Sequence, residues 1–535
     1  MTTSESTIEK PEVFTRKASG LVRNAGVWDV LAYNINFTSI GLLLAFLIML
    51  APAFYPGSSM ALAAVICSLL IIPLSLVYGY LASTMPRSGG DYVYVSRVLG
   101  PAWGMMSNFN TTMWWFFYGG VPSAFLALYG LAPFFRTMGI FTGNLGLIEV
   151  GNWFASPVGM FIFGALLISL LVFIFARGMR TFFKVQNSLI ILAGISTILS
   201  AVLFIGKTPA DVMAAFNQFV GPLSGKADVA GYVLQAGKDA GFEMAPFSLR
   251  NTLLVMTWIY LNLSFMQSSA YIGSEVKDAR RLQLWSMPAT VLIVGLGVLI
   301  TVILVQRAAG IEFLGTLSWV DPQELGMSST PLYTEIAAYL SHNIVIAFLI
   351  TFGFIFWSYA WLPGQIINGS RNILAYSIDG LFPAWFRKVH PRLRTPINAL
   401  ATMGIMSIVA LAVYVFTPYF ATLVGIFGYI LTFSMVSISA ILLPYRLPDV
   451  FETSAVNQRL GRVPVISIIG VLSLISCGIM AWAYINDPLS GLTPTMIAFN
   501  VGVFLSGLVI YYLAKWVQAR RGVDVSLSYK ELPAE

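Results

Sequence analysis

The segment Asn34–Gly41 (NINFTSIG) interrupts a charge-free apolar stretch near the N-terminus with polar residues and a glycine. A second segment, Asn262–Ser269 (NLSFMQSS), interrupts another such stretch about 228 residues further along the chain. Interruptions at matching places in two halves indicate inverted repeats whose first helices are broken inside the membrane. Asn, Ser and Thr also occur in membrane helices simply as groups that hydrogen-bond to neighbouring helices. Because the two segments occur together and in register, we interpret them as unwound segments.

Around these segments lie twelve long stretches without Asp, Glu, Lys or Arg. A helix that crosses a bilayer needs about 20 mainly apolar residues, and each stretch meets or nearly meets that length. They cover residues 30–54, 60–82, 103–135, 158–176, 185–206, 251–274, 282–306, 343–370, 397–417, 420–443, 464–486 and 492–514. Only helices of this length leave no backbone group unpaired in lipid. The sequence therefore predicts an all-α integral membrane protein with twelve transmembrane helices, a 5+5 inverted repeat plus two C-terminal helices.

The same pattern predicts the division of the chain. We expect an N-terminal arm (1–27), a first five-helix repeat (28–206), an outer loop (207–249), a second repeat (250–444), helices 11 and 12 (445–517) and a tail (518–535). The loops 207–249 and 307–342 carry most of the acids outside the predicted cytoplasmic segments. We interpret both loops as solvated caps with a short helix each.

Composition excludes several classes of protein. Of the 535 residues, 57% are hydrophobic and only 10% are charged, whereas soluble proteins have about 25% charged residues. This excludes a soluble enzyme, a disordered chain and a nucleic-acid-binding module. Of the 30 Lys and Arg residues, 24 lie on the arm, the tail and the connections on the same side. Such a bias places both termini in the cytoplasm and the protein in the cell membrane, so the basic charge requires no nucleic acid.

Two broken helices offer a specific chemistry. Their free N–H groups carry a partial positive charge and their free C=O groups a partial negative charge, which suits the carboxylate and ammonium of an amino acid. We expect N–H groups near Thr38–Gly41 to bind the carboxylate, and carbonyls near Asn36 and Leu263–Ser264 to bind the ammonium. The predicted substrate-binding residues are Asn36, Phe37, Thr38, Ser39, Gly41, Trp115, Leu263, Ser264, Phe265, Gln267 and Trp357.

The predicted spans contain no charge in their interiors. A cationic or acidic side chain in a dry pocket needs an opposite charge, so a neutral, apolar or aromatic amino acid is the favoured substrate. The alternatives are an organic cation or polyamine held by aromatic rings, and a sensor or channel that does not transport. No metal site and no enzyme active site can be assembled at membrane depth. Cys67 and Cys477 lie in apolar stretches and are expected to serve packing.

Three charged connectors on the cytoplasmic side contain Gly and Pro, at 86–101, 274–280 and 370–396. We predict that their charged residues form a latch on the inward gate. The predicted gating residues are Arg87, Asp91, Arg97, Glu275 and Arg371. The acids Glu275, Asp91 and Asp379 are the expected ion-pair partners of Arg87, Arg97 and Arg371. The alternative is that these charges only set the topology.

The runs SGGDYVY (88–94), EVK (275–277) and RNILAYSIDGLFP (371–383) resemble the signature loops of the amino acid–polyamine–organocation (APC) superfamily. The resemblance implies a LeuT-like fold and a permease that moves amino acids or related amines by alternating access. The chain departs from the family at Ser39-Ile40-Gly41, where many members have Gly-x-Gly, and at Phe265-Met266-Gln267, where many have Gly-Phe-acid. Bulky Ile40 and Phe265 are expected to narrow the two clefts.

The coupling mechanism stays open at this point. Some proton-coupled members have a Lys in the fifth helix, where this chain has Ala193. The spans also lack an acid that would relay protons. Oxygen atoms of Thr38, Ser39 and Ser358 are candidate sodium ligands. Coupling to H⁺ or Na⁺, or simple exchange, are all compatible with the sequence. No cofactor is predicted, and the protein is expected to be a monomer or a homodimer.

Overall fold

A computed structural model describes residues 21–417 and 424–529. Within these residues, eleven helical segments are long and apolar enough to cross a membrane. They are Val27–Phe54, Met60–Thr84, Pro101–Thr142, Pro157–Ala176, Met179–Leu203, Ala279–Ala309, Ile344–Ile378, Ile397–Phe416, Val424–Arg446, Val465–Asn486 and Pro494–Ala519. Each corresponds to one of the twelve predicted spans, and we number the spans 1 to 12 accordingly. The all-helical membrane fold is confirmed.

Span 6 is the predicted span that does not form one long helix. Its α-helix, Leu249–Leu263, passes into a 3₁₀-helix at Ser264–Tyr271 and a short 3₁₀ turn at Gly273–Glu275. The predicted interruption is therefore present, but the backbone tightens there instead of unwinding. The α-helical part has only 15 residues, less than the length of about 20 residues that crosses a bilayer. The count of twelve spans stays a prediction.

Three of the long segments are internally irregular. Span 1 consists of the helices Val27–Thr38 and Ile40–Phe54. Span 3 consists of Pro101–Tyr118, Val121–Phe125, a π-helical turn at Leu126–Leu131, and Ala132–Thr142. Span 8 consists of Ile344–Ser358 and Trp361–Ile378. These irregularities fall within the helices that surround the candidate site.

The connections contain further short elements. Helices lie at Asp91–Val98, Leu145–Ala155, Pro209–Ser224, Val229–Asp239, Ile311–Leu317, Tyr333–Ser341 and Pro448–Glu452, and 3₁₀ turns at Pro322–Leu325, Ala384–Arg387 and Val525–Tyr529. A two-residue hairpin pairs Arg459–Leu460 with Val463–Pro464. The loop 207–249 thus contains two helices and the loop 307–342 also contains more than one, so the expectation of one helix each was too low.

The two described chain ends lie on the same face of the bundle. The N–H of Asn24 donates to the carbonyl of Glu275 at 2.9 Å, and the carbonyl of Ser528 accepts from Arg97 at 3.4 Å. We call this side, where the connectors of spans 2–3, 6–7 and 8–9 meet, the terminal face. We call the opposite side, which carries loops 207–249 and 307–342, the loop face.

The pattern of buried and exposed side chains on the spans matches a lipid environment. Span 7 packs along span 2 with Val291, Val294 and Val298 almost completely buried. On its other side, Leu292 and Leu296 are more than half exposed. Apolar side chains that point outward along a helix of this length are suited to lipid. The core therefore lies between the spans, and the outside of the bundle matches a bilayer.

Candidate functional site

The break in span 1 is a single residue, Ser39. Its φ of 43° and ψ of 70° lie in the left-handed region, which residues other than Gly adopt at a cost. The hydroxyl of Ser39 donates to the carbonyl of Trp357 at 2.7 Å and fixes the break against span 8. The helix that begins at Ile40 has N-terminal N–H groups without partners inside the helix. The break therefore creates the partial positive charge that the sequence predicts.

The breaks of spans 1 and 6 lie against each other. The rings of Phe37 and Phe265 stack with their centroids 4.9 Å apart. The side-chain oxygen of Asn34 accepts from the N–H of Ser269 at 2.8 Å, which joins span 1 to the 3₁₀ segment. Gly364 of span 8 makes this packing fit, because a Cβ there would lie 2.7 Å from the ring of Phe37. Two interruptions about 228 residues apart in the sequence thus form one structural unit.

A small cavity lies beside Phe265, between spans 3, 6, 8 and 10. It has a volume of about 20 Å³, which is room for a single water. It is lined by Tyr118, Val121, Pro122, Leu261, Phe265, Trp361, Gln365 and Ile426. An open groove of about 610 Å³ lies at the loop face near Arg307 and Glu312, and no residue of either break lines it. The small cavity is therefore the better candidate for a substrate site.

The cavity wall is aromatic and carries no formal charge. The ring of Phe265 lies 5.3 Å from that of Tyr429 and 6.5 Å from that of Trp361. Among the described residues, the buried side-chain oxygens of Gln365 and, in the span 6 break, of Gln267 and Ser264 have no hydrogen-bond partner. An unpaired buried acceptor costs free energy. These oxygens are therefore suited to accept hydrogen bonds from a bound molecule.

Of the eleven predicted substrate-binding residues, all described by the structure, only Phe265 lines this cavity. Three of the others, Trp357, Gly41 and Trp115, make their contacts elsewhere. The indole nitrogen of Trp357 donates to the carbonyl of Ala193 at 2.8 Å and to Thr197 at 2.9 Å, so it faces span 5. Its ring also covers Gly41, where a Cβ would lie 2.5 Å from it. The ring of Trp115 packs on Tyr271, with centroids 4.7 Å apart, on the side of the terminal face.

Other predicted residues are held by local bonds. The hydroxyl of Thr38 donates to the carbonyl of Ile35 at 2.7 Å, within its own helix. The amide of Asn36 reaches the carbonyl of Ala360 in the break of span 8 at 3.4 Å. Leu263 is fully buried at the end of the α-helical part of span 6. These contacts hold the interrupted helices together and leave the substrate contacts of these residues a prediction.

Two buried ion pairs close the terminal face. Arg371 donates from Nε to Glu275 at 2.8 Å, and the two side chains are 1% and 3% exposed. Arg97 makes two bonds to Asp379, at 2.8 and 3.1 Å. The guanidinium of Arg97 also lies over the ring of Tyr529, 4.8 Å from its centroid. The predicted clustering of the connectors is present, and its role in gating stays a prediction.

Segment 86–91 joins the same cluster through its backbone. The N–H of Gly89 donates to the carbonyl of Tyr271 at 3.1 Å, and the hydroxyls of Ser88 and Ser274 are in contact. Arg87 lies in this turn, and Gly273 packs against its backbone. A side chain at Gly273 would meet that backbone at 3.0 Å, so the connectors pack closely.

Asp91 differs from the other predicted gating residues. Its side chain is fully buried, and one carboxylate oxygen accepts from the amide of Asn108 at 2.6 Å. The second oxygen has no hydrogen-bond partner among the described residues, and no described cation forms an ion pair with Asp91. Burial raises the pKa of Asp91 to about 7, although the hydrogen bond from Asn108 lowers it. The expected pairing of Asp91 with an arginine is therefore wrong.

The sequence interpretation missed most of the cavity wall. Tyr118 and Val121 flank Gly119-Gly120, and Trp361 and Gln365 flank Pro363-Gly364. Both are Gly or Pro interruptions of long apolar stretches, and a glycine also belongs to the interruption that identifies the break of span 1. Applied to spans 3 and 8, the same signal would have located these residues.

Among the described residues, no group of three or more His, Cys, Asp or Glu is arranged to hold a metal.

Comparison with known proteins identifies a common family. The family described as "Amino acid permease" matches residues 30–508. An uncharacterized transporter of Mycobacterium tuberculosis is 25% identical over 460 residues, 86% of each chain. Cationic amino acid transporter 3, mitochondrial, of Arabidopsis thaliana is 26% identical over 216 residues, 39% of this chain and 32% of that protein. The methylthioribose transporter of Bacillus subtilis is 30% identical over 143 residues, 27% of each chain.

Proposed function

Because the chain belongs to the amino acid permease family of the APC superfamily, we propose that it carries a neutral, apolar or aromatic amino acid by alternating access. Its family, its transporter relatives and the eleven long apolar helices among its described residues indicate a multi-pass membrane transporter rather than an enzyme. The observation that carries the proposal is the uncharged aromatic cavity beside the stacked breaks of spans 1 and 6.

The charge of the substrate is argued from the cavity wall. None of the eight lining residues is Asp, Glu, Lys or Arg. A full charge on a substrate side chain would lose its hydration there without gaining an ionic partner. The backbone groups at the Ser39 break supply only partial charges, which suit the zwitterionic part that all amino acids share. A neutral side chain against Phe265 and Trp361 therefore fits best.

Alternating access is supported by the size of the cavity and by the closed terminal face. A space for one water does not admit an amino acid, so Phe265 and Trp361 must move aside when the substrate binds. The pairs Arg371–Glu275 and Arg97–Asp379 are buried among the terminal connectors. Release toward this face would require these three connectors to separate. We infer that the structure represents a closed state of such a cycle.

The experiment is a panel of amino acids tested as ligands of the purified protein and as substrates in proteoliposomes. We expect Leu, Phe or Trp to raise the thermal unfolding midpoint and to show saturable, stereoselective uptake, while Lys, Arg and Glu do not. The variant Ser264→Leu places a bulky side chain at the break of span 6 and should abolish both effects. Ser169→Leu, on an exposed side of span 4, is the matched control and should retain them.

Contrary outcomes separate the alternatives. Uptake of Lys, Arg or a polyamine without uptake of neutral amino acids would overturn the proposed substrate in favour of a cation held by the rings. Binding without flux would indicate a sensor, and flux without saturation would indicate a channel. Unchanged binding in Ser264→Leu would show that the break of span 6 is not the substrate site.

A further inference from the structure

We propose that Asp91 is a proton-binding site that controls the terminal face, which closes when this carboxyl is protonated and opens when the proton leaves. The inference rests on the proposed transport cycle, because it requires the terminal connectors to separate. It supplies an ionisable carboxyl, which the interiors of the predicted spans lack.

The first argument is the absence of a counter-ion. Asp91 is fully buried, one of its oxygens has only Asn108 as a side-chain donor, and the other has no partner among the described residues. The nearby cations are engaged elsewhere, Arg97 with Asp379 and Arg371 with Glu275. An ionised carboxylate that is buried without a cation is strongly destabilising. The closed arrangement therefore favours the neutral acid.

The second argument is the nature of the groups around Asp91. The groups around Asp91 are uncharged: Tyr78 from span 2, Tyr94 from the helix of Asp91, Asn108 from span 3, Tyr271 from the 3₁₀ segment and Tyr376 from span 8. Span 10 also packs against the helix of Asp91, and the one charged residue of Val424–Arg446 is Arg446 at its exposed end. Arg87 lies in the preceding turn, where Gly273 packs against its backbone. These hydroxyl and amide groups can hydrogen-bond to the acid in either protonation state. None of them compensates a full negative charge.

The third argument is the link between burial and gate closure. Gly89 bonds to the carbonyl of Tyr271, and Gly90 adopts a φ of +50° against the ring of Tyr271. A Cβ at Gly90 would lie 2.7 Å from that ring, so these glycines allow Tyr271 to cover the carboxyl. Opening the connectors would move Tyr271 away and admit water to Asp91. Burial of the acid and closure of the face are therefore one event.

The sign of the pH dependence follows from the two states. The closed state holds the pKa of Asp91 at about 7, and a hydrated carboxyl titrates at about 3.9. Closure therefore takes up a proton. The equilibrium constant for closure is therefore highest below about pH 4. It falls by about tenfold per pH unit as the pH rises toward 7 and is constant above that. An acidic medium at the terminal face should keep the gate closed.

The test uses a thiol placed inside the closed gate. Ala375 is 7% exposed and faces Gly89, and the native Cys67 and Cys477 are buried. We would label Ala375→Cys in the purified full-length protein with a charged methanethiosulfonate between pH 5 and 8. Dividing each rate by that of free cysteine at the same pH removes the thiolate effect. The normalised rate should rise by about tenfold per pH unit between pH 5 and 6.5 and level off above 7.

Variants distinguish titration of Asp91 from a purely structural role. Asp91→Asn in the same background mimics the protonated acid and should give slow labelling at every pH. Asp487→Asn is the matched control, because Asp487 is a buried carboxyl at the other end of the bundle, bonded to Tyr55 and Thr257, and it should retain the full slope. Asn108→Ala removes a bond that lowers the pKa of Asp91, so its plateau should move to higher pH.

Several results would overturn the proposal. A labelling rate that does not change with pH in the Ala375→Cys protein would do so, as would an unchanged slope in Asp91→Asn. If Asp91→Asn does not fold, Asn108→Ala decides, because a plateau at the same pH as in the parent would also overturn the proposal. A change of labelling between sodium and potassium buffers at fixed pH would assign the site to a metal cation instead of a proton. The assay contains no amino acid, so it is read independently of the substrate panel.

Discussion

Replacing Glu275 by Gln is expected to destabilise the closed terminal face by removing one charge of a buried pair. The Nε atom of Arg371 lies 2.8 Å from the Glu275 carboxylate, and the side chains are 1% and 3% exposed. Gln has nearly the same size, and the backbone carbonyl at this position can still accept from Asn24 and Ala25 at 2.9 Å. The substitution therefore changes charge and leaves most of the packing intact.

The magnitude follows from burial. Removing one partner of a buried ion pair costs about 3–5 kcal/mol, because the other charge stays buried without compensation. At about 1.4 kcal/mol per factor of ten, the equilibrium between closed and open should shift by about two to nearly four orders of magnitude. The same change in an exposed pair costs about 0–1 kcal/mol. Burial thus makes the two cases distinguishable.

Hydrogen exchange measures this shift directly. Two amides report on the gate: Gly89, which donates to Tyr271, and Lys277, which donates to Ala25. Their protection should fall at least a hundredfold in Glu275→Gln. Glu312→Gln is the matched control, because Glu312 pairs with Lys238 where both side chains are about half exposed. It should change protection at the gate by less than a factor of ten.

A double variant tests whether the lost protection is due to the uncompensated charge of Arg371. Glu275→Gln combined with Arg371→Gln removes both charges, and most of the lost protection should return, because no uncompensated charge remains. Protection that stays within a factor of ten of the parent protein in Glu275→Gln would show that the pair does not hold the face closed. A double variant as unprotected as the single one would show that packing, and not charge, is responsible.

Three further changes test other contacts. Gly364→Ala should lower stability by about 1–3 kcal/mol, because its added methyl group would meet the ring of Phe37; a lower thermal unfolding midpoint would check this, and an unchanged midpoint would contradict the packing. Glu335→Gln should cost about 3–5 kcal/mol, because Arg136 is buried with it at 2.7 Å; faster proteolysis of loop 307–342 is the measurement. Tyr529→Leu removes a cation–π contact of about 0.5–2 kcal/mol and should speed proteolytic release of the tail, while Tyr512→Leu, on the exposed side of span 12, should not.

The sequence was sufficient for the architecture because lipid imposes a simple rule on it. Long charge-free stretches have to be helices, and the polar interruption at Asn34–Gly41 does coincide with a break at Ser39. The sixth stretch was recognised as interrupted, but the sequence did not indicate that Ser264–Tyr271 forms a 3₁₀-helix. Such tightening depends on contacts with other helices, such as the bond from Ser269 to Asn34.

The partners of individual side chains were less predictable. Composition showed that the connectors carry opposite charges, but not that Glu275 pairs with Arg371 and Arg97 with Asp379. Asp91 was expected to pair as well, and only the packed structure shows it enclosed by uncharged groups. The direction of Trp357 was equally hidden, because it depends on the carbonyl that Ala193 offers from span 5.

Both described ends of the polypeptide are tied to the parts that the proposed cycle sets in motion. The N–H groups of Asn24 and Ala25 donate to the carbonyl of Glu275. At the other end, Arg97 donates to the carbonyl of Ser528 and lies over the ring of Tyr529. An affinity tag or a fluorescent reporter fused at either end would therefore be attached next to the contacts that hold the terminal face closed. An insertion in loop 207–249, on the opposite face, should disturb these contacts less than a fusion at the N- or C-terminus.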